Sequence, residues 1–166
     1  CLIGTTLFGQ EADTSTSPSS FEVYQKSNSG LPDNNAIKII IDSDGGKWIG
    51  TEKGGLVKYD GVNWDIYNTS NSQIPHNSIY TITIDGNNNK WIGTYGNGLG
   101  MLNNDAPDKE QEWANFNSSN SLLPHNWILS AAADNNGNIW LGLDDGIVKI
   151  NINSVFEYLP IKETNL

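Results

Sequence analysis

The chain has 166 residues, nine lysines and no arginine against nineteen acidic side chains, for a net charge of −10. An acidic surface without guanidinium groups excludes nucleic acid as a partner and disfavours anionic membranes, because both need a basic face. A single cysteine, Cys1, excludes an internal disulfide, and no run of about 18 apolar residues exists, so no membrane insertion is expected of this segment.

Residues 1–20 open with the apolar stretch C-L-I-G-T-T-L-F-G-Q and continue into the Ser/Thr/Pro-rich run from Asp13 to Ser20. They are read as a signal-peptide remnant and linker, which places the chain in the periplasm or at the cell surface. The competing reading is that Leu2-Ile3-Gly4-Thr5 is a remnant strand. Residues 21–166 then form the module, beginning with an orphan strand at Phe21–Tyr24.

From residue 36 onward the sequence repeats itself. I-D-S-D-G-G-K-W-I-G-T at 41–51 returns as I-D-G-N-N-N-K-W-I-G-T at 84–94 and as A-D-N-N-G-N-I-W-L-G-L at 133–143. Trp48, Trp91 and Trp140 are thus separated by 43 and 49 residues, a period that fits a four-stranded propeller blade. Each copy resolves into four short apolar runs. The first is Ala36–Ile41, Ile79–Ile84 and Ile128–Ala133. The second is Lys47–Thr51, Lys90–Thr94 and Ile139–Leu143. The third is Gly55–Tyr59, Gly98–Leu102 and Gly146–Ile150, and the fourth Trp64–Tyr67, Trp113–Phe116 and Val155–Tyr158.

Runs one and two are joined by S-D-G-G, G-N-N-N and N-N-G-N, residue types that accept positive φ and close tight hairpins. The Asp heading each turn suits an Asx cap better than a calcium loop, since the twelfth position counted from Asp42 is Lys53 rather than an acid. No 3.6-residue apolar period persists, so almost no helix is expected. The fold class is all-β, with about three four-stranded antiparallel blades at 36–67, 79–116 and 128–158. Three blades make an incomplete propeller, or one completed by oligomerisation, because radial closure takes about four or more. In each copy the residues beside the tryptophan face the other way, so Trp48, Trp91 and Trp140 are assigned to the wedge between neighbouring blades.

The pattern L-P-x-N-x-I, D-x-x-G-x-x-W-I-G-T, G-G-L-x-x-Y-D and W-x-x-Y, carried for example by Ile74-Pro75-His76-Asn77, Asp85, Trp91 and Thr94, resembles the two-component regulator propeller repeat. The resemblance covers residues 21–158. It implies an extracytoplasmic, non-catalytic sensor region of a hybrid histidine kinase, with an oligosaccharide or other small ligand as partner. Further blades of a longer chain, or copies of itself, are the other partners expected.

Candidate chemistry is sparse. His76 and His125 share one repeat position, held by Asp33 in the first copy, and zinc would need a third ligand of which Asp33 is the only repeat-related candidate. No metal and no cofactor are expected. Asp144 and Asp145 are read as turn neighbours pointing apart, unsuited to paired-carboxylate chemistry. In a propeller the loop between blades and the loop joining the middle strands lie on one face. That geometry gathers His76, Asn77, Tyr95, Asn97, His125, Asn126 and Trp127 on one rim as the expected ligand-binding set, although Asn77 and Asn126 also suit loop bracing and Trp127 suits packing at a blade junction. Two rival roles remain open: a propeller lyase using His76 and His125 as acid or base, and a structural or protein-binding surface array.

Overall fold

The computed structural model describes residues 21–104, 112–151 and, as backbone, the strand at 156–160; the expected signal remnant at 1–20 and Val155 lie outside them. Twelve strands and no helix are found among the described residues. The first blade comprises β1 (Ala36–Ile41), β2 (Lys47–Thr51), β3 (Leu56–Tyr59) and β4 (Trp64–Tyr67). The second comprises β5 (Ile79–Ile84), β6 (Lys90–Thr94), β7 (Leu99–Leu102) and β8 (Trp113–Phe116). The third comprises β9 (Ser130–Ala133), β10 (Ile139–Gly142), β11 (Gly146–Ile150) and β12 (Phe156–Pro160). Each blade is an antiparallel meander in sequence order.

Small departures from the expected strand ends have local causes. Gly55 and Gly98 take φ of +90° and +85°, so they belong to the turns and the third strands begin one residue later. Ile128 precedes the ladder of the third blade because its N–H goes instead to the carbonyl of Thr94 in the second. Phe21–Tyr24, expected as an orphan strand, is not a strand. Its Tyr24 ring lies tilted against Tyr59 and Trp64, at 5.6 and 5.7 Å between centroids.

The blades stack on the faces that the alternation predicts. Trp48 packs with Leu56, Ile79, Ile82, Ile92 and Leu102 between blades one and two, and Trp91 packs with Ile128, Ile139, Leu141 and Val148 between blades two and three. Burial of each such ring contributes a few kcal/mol, about that of any large core side chain. Trp140, on which no described sheet packs, is only half-buried. At the other end of the stack the strand β1 is open, with Ile39 and Ile41 59% and 62% exposed.

Each letter of W-I-G-T has a physical reason. The indole fills the wedge, and the isoleucine faces the preceding side. The glycine lets the next blade approach: a Cβ on Gly50 would stand 2.6 Å from Ile79 Cγ2, and one on Gly93 equally 2.6 Å from Ile128 Cγ2. The threonine hydroxyls of Thr51 and Thr94 are fully buried and donate to the carbonyls of Gly55 and Gly98 at 2.8 Å, closing the turn from within. Across the second interface, Thr81 and Thr83 Oγ1 accept the N–H groups of Ala131 and Ala133 at 3.0 and 3.1 Å, tying one inner strand to the next.

Behind every tryptophan stands the aspartate of the first turn, six residues earlier. Asp42, Asp85 and Asp134 accept the indole N–H of Trp48, Trp91 and Trp140 at 2.8, 2.9 and 2.9 Å through Oδ2, while Oδ1 takes two backbone N–H groups of the turn. The expected Asx cap is therefore present, and it doubles as the indole's hydrogen-bond partner, which spacing alone did not suggest.

Candidate ligand-binding rim

The seven expected rim residues lie in three pieces of chain. His76 and Asn77 end the loop between blades one and two, His125, Asn126 and Trp127 end the loop between blades two and three, and Tyr95 and Asn97 sit in the turn from β6 to β7. These loops are built alike. In each, an asparagine side chain folds back on the loop: Asn34, Asn77 and Asn126 Oδ1 accept the N–H of Lys26, Thr69 and Ser118 at 2.7, 2.8 and 2.8 Å. Asn77 and Asn126 thus brace their loops with the atoms that a sugar hydroxyl would otherwise meet. Asn97 donates to the carbonyl of Pro75 at 2.8 Å.

The histidines are similarly engaged. Ser78 N–H donates to His76 Nδ1 at 3.0 Å and Trp127 N–H to His125 Nδ1 at 3.2 Å, as Asn35 N–H donates to Asp33 at 3.1 Å in the first copy. A backbone N–H can only donate, so Nδ1 is unprotonated in both rings and the proton of each neutral imidazole sits on Nε2. For His125 that proton points at acids: Nε2 lies 2.7 Å from Asp144 Oδ1 and 3.0 Å from Asp145 Oδ1. The expectation that these two carboxylates point apart is corrected here, because the tight turn into β11 turns both toward the same imidazole.

His125, Asp144 and Asp145 offer three metal-ligating atoms within 4.8 Å of one another. The donor set suits a divalent cation in kind, but not in protonation. A metal on Nε2 would need the ring proton on Nδ1, where the Trp127 N–H already points. The set works as a hydrogen-bonded cluster.

What the rim leaves open is aromatic. Tyr80, Tyr95 and Trp127 form one ladder of offset rings, with Tyr80 and Tyr95 5.5 Å apart at 19° and Tyr95 and Trp127 5.0 Å apart at 20°. Tyr95 and Trp127 are each 47% exposed, and their backbones form an isolated antiparallel bridge that spans the gap between blades. Tyr80 was not foreseen as a rim residue. It sits at the irregularity between Ile79 and Thr81, where β5 slips register against β6, and the slip turns its ring outward. Ile37 and Leu129, at the same repeat position, are likewise exposed. Trp127 is thus both ladder member and junction residue.

Residues 122–145 match the family described as Two component regulator propeller. Among solved structures, the extracellular domain of B. thetaiotaomicron BT4673, described as a one-component system, is 25% identical with a TM-score of 0.63, covering 79% of this chain and 19% of that one. Virginiamycin B lyase from Staphylococcus aureus is 16% identical with a TM-score of 0.63, over 83% of this chain and 45% of that one. PorZ, a surface component of the type-IX secretion system of Porphyromonas gingivalis, is 23% identical with a TM-score of 0.60, over 78% and 19%. No curated protein matches the chain. The chain spans about a fifth of the first of these structures and under half of the lyase.

Proposed function

We propose that this chain, of which residues 122–145 match the two-component regulator propeller family, is the ligand-binding part of an extracytoplasmic sensor and that its ligand is a neutral oligosaccharide. The observation that carries the reading is the exposed ladder of Tyr80, Tyr95 and Trp127 on one rim. Aromatic faces attract the C–H faces of sugar rings, and an extended row of rings suits a chain of them. The sensor role draws on the family match and on the likeness to an extracellular signalling domain. No helix among the described residues is long and apolar enough to cross a membrane.

A neutral ligand is preferred on charge. Asp144 and Asp145 face the His125 that holds Trp127, and no lysine is in that cluster. Uronates and sulfated sugars would meet a repulsive field on a chain of net charge −10. Binding that spans the ladder touches blades two and three together, and a change in their packing is the signal to be passed onward.

A lyase is disfavoured because both nitrogens of His125 are engaged, Nδ1 by the Trp127 N–H and Nε2 by the two carboxylates, which leaves no free lone pair for a general base. The test is titration of the purified chain with neutral gluco-, manno- and xylo-oligosaccharides, beside sulfated and uronate-containing ones. Binding of a neutral member that falls at least tenfold in Tyr95→Ala and Trp127→Ala, with the fold retained, supports the reading. Binding that ignores both rings, or that prefers the acidic glycans, rejects it.

A further inference from the structure

In all three copies the loop between blades is tied to the next middle-strand turn, each time by different chemistry. In the first, Asp33 Oδ2 accepts the N–H of Lys53 at 2.9 Å. In the second, Asn97 Nδ2 reaches back to Pro75. In the third, His125 reaches forward to Asp144 and Asp145. The residue whose backbone N–H the loop side chain holds also differs: Asn35 and Ser78 in the first two copies, Trp127 in the third. Only there is the held residue an exposed aromatic ring.

We infer that His125 is a positioning residue for Trp127, clamping the end ring of the ladder to the acidic turn of the third blade. Its Nδ1 fixes the backbone from which the indole projects, and its Nε2–H is oriented by two carboxylates, so the imidazole can neither rotate nor change tautomer without losing a bond on one side. The ring is stacked on Tyr95 and backed by Gly96, where a Cβ would come 3.4 Å from Trp127 Nε1. A shift of the 144–145 turn is therefore felt at the ladder. The consequence for ligand affinity rests on the proposed binding role, whereas the clamp itself does not.

The clamp is tested first without ligand. Imidazole nitrogen NMR of the chain is expected to place the His125 proton on Nε2. Acrylamide quenching assigned to Trp127 by difference against Trp127→Phe, together with the near-ultraviolet circular dichroism of the stacked rings, then reports the ring's position. His125→Ala is expected to lose the stacking band and raise Trp127 quenching about twofold while retaining a cooperative melt. Asp144→Ala/Asp145→Ala is expected to give a partial loss. His125→Asn, which restores an acceptor of the Asp33 kind, is expected to recover part of the band. A proton on Nδ1, or an unchanged band and quenching in folded His125→Ala, overturns the clamp, and so does zinc binding at His125 that leaves the stacking band intact. With the oligosaccharide selected above as probe, His125→Ala is expected to weaken binding about fivefold, the scale of one lost hydrogen bond. If no oligosaccharide binds but the ring moves, the binding role fails and the clamp stands; if one binds and the ring does not move, the reverse holds.

Discussion

Lys90 of the second blade places its ammonium 3.7 Å from Asp42 Oδ2 of the first, and both side chains are almost wholly buried. The same ammonium lies 5.0 Å from the centroid of Trp48, the indole that Asp42 holds. One interface thus contains an aspartate, a tryptophan and a lysine stacked in a single hub. Burial works against the charge on Asp42, but the Trp48 indole, the Gly46 N–H and Lys90 outweigh it and hold the carboxyl below its ordinary value. Burial lowers the Lys90 value, and Asp42 opposes that shift.

The other two hubs need no lysine, and the reason is one side chain. Asn89 and Asn138 donate to Asp85 and Asp134 Oδ2 at 3.0 and 2.8 Å, filling the position that Lys90 serves for Asp42. Blade one has Gly46 there, whose backbone N–H already serves Asp42 Oδ1 and which has no side-chain amide to offer Oδ2. Where Asn89 completes its own carboxylate, the following blade carries the apolar Ile139 in place of a lysine. Removing the cation alone leaves a buried carboxylate short of a partner, so Lys90→Met is expected to destabilise by about 3 kcal/mol. Gly46→Asn in the same chain should recover at least half of that, after a small shift of Asp42, whose Oδ2 would be 2.9 Å from the new Cβ. Urea unfolding of the single and double variants decides it; strictly additive losses would defeat the compensation.

The three wedge tryptophans should not be equivalent. Trp91 is 5% exposed between two sheets, and Trp91→Ala is expected to cost about 3–5 kcal/mol. Trp140 has no described sheet over its outer face, and Trp140→Ala should cost well under half as much. Equal losses by thermal or urea unfolding would place a further surface over Trp140.

Gly93→Ala drives a methyl to within 2.6 Å of both Ile128 and Thr81, which cannot yield without separating the blades, and about 1–3 kcal/mol of destabilisation is expected. Gly142→Ala meets only the Ser130 side chain, whose hydroxyl can rotate away, so a milder effect is expected. A neutral Gly93→Ala in the same melts would mean that the interface is looser than described.

Stability should fall in acid. Asp42 is held low by the contacts given above. Asp60 is lowered to about 2, chiefly by the Asn63 backbone N–H, and Asp134 is held well below its ordinary 3.8, first by the Trp140 indole and then by Asn138. A carboxyl whose folded value lies under its unfolded value binds fewer protons when folded, so its stabilisation is complete above about 3.8 and disappears as pH falls through the folded value. Urea midpoints measured between about pH 5 and pH 2 should therefore drop, and Asp134→Asn should flatten the profile. A midpoint that stays level over that range would contradict the assignment.

Much of the blade was legible because local chemistry and period agreed. Turn residues that accept positive φ, apolar runs alternating at two residues, and a tryptophan at intervals of 43 and 49 residues leave a hairpin meander as the economical arrangement, and its stacking follows because one sheet has two faces to cover. Even the loop-bracing role of Asn77 and Asn126 could be read beforehand, since Asn between Pro and a strand favours local side-chain to backbone bonds.

Partner choice across a gap was not legible. That Asp42 takes Lys90 while Asp85 takes Asn89 depends on whether a donor is already within the turn, and Gly46 and Asn89 look interchangeable as turn formers. Tyr80 surfaced through a register slip between β5 and β6, which no alternation pattern records. His125 and Asp145 are 20 residues apart and meet because the loop entering the third blade lies beside that blade's own middle turn. The amino-acid order determines periodic, short-range features, which arise from backbone sterics and face-to-face alternation; which buried charge is completed by which donor, and which rings remain in water, is decided by how the sheets are stacked.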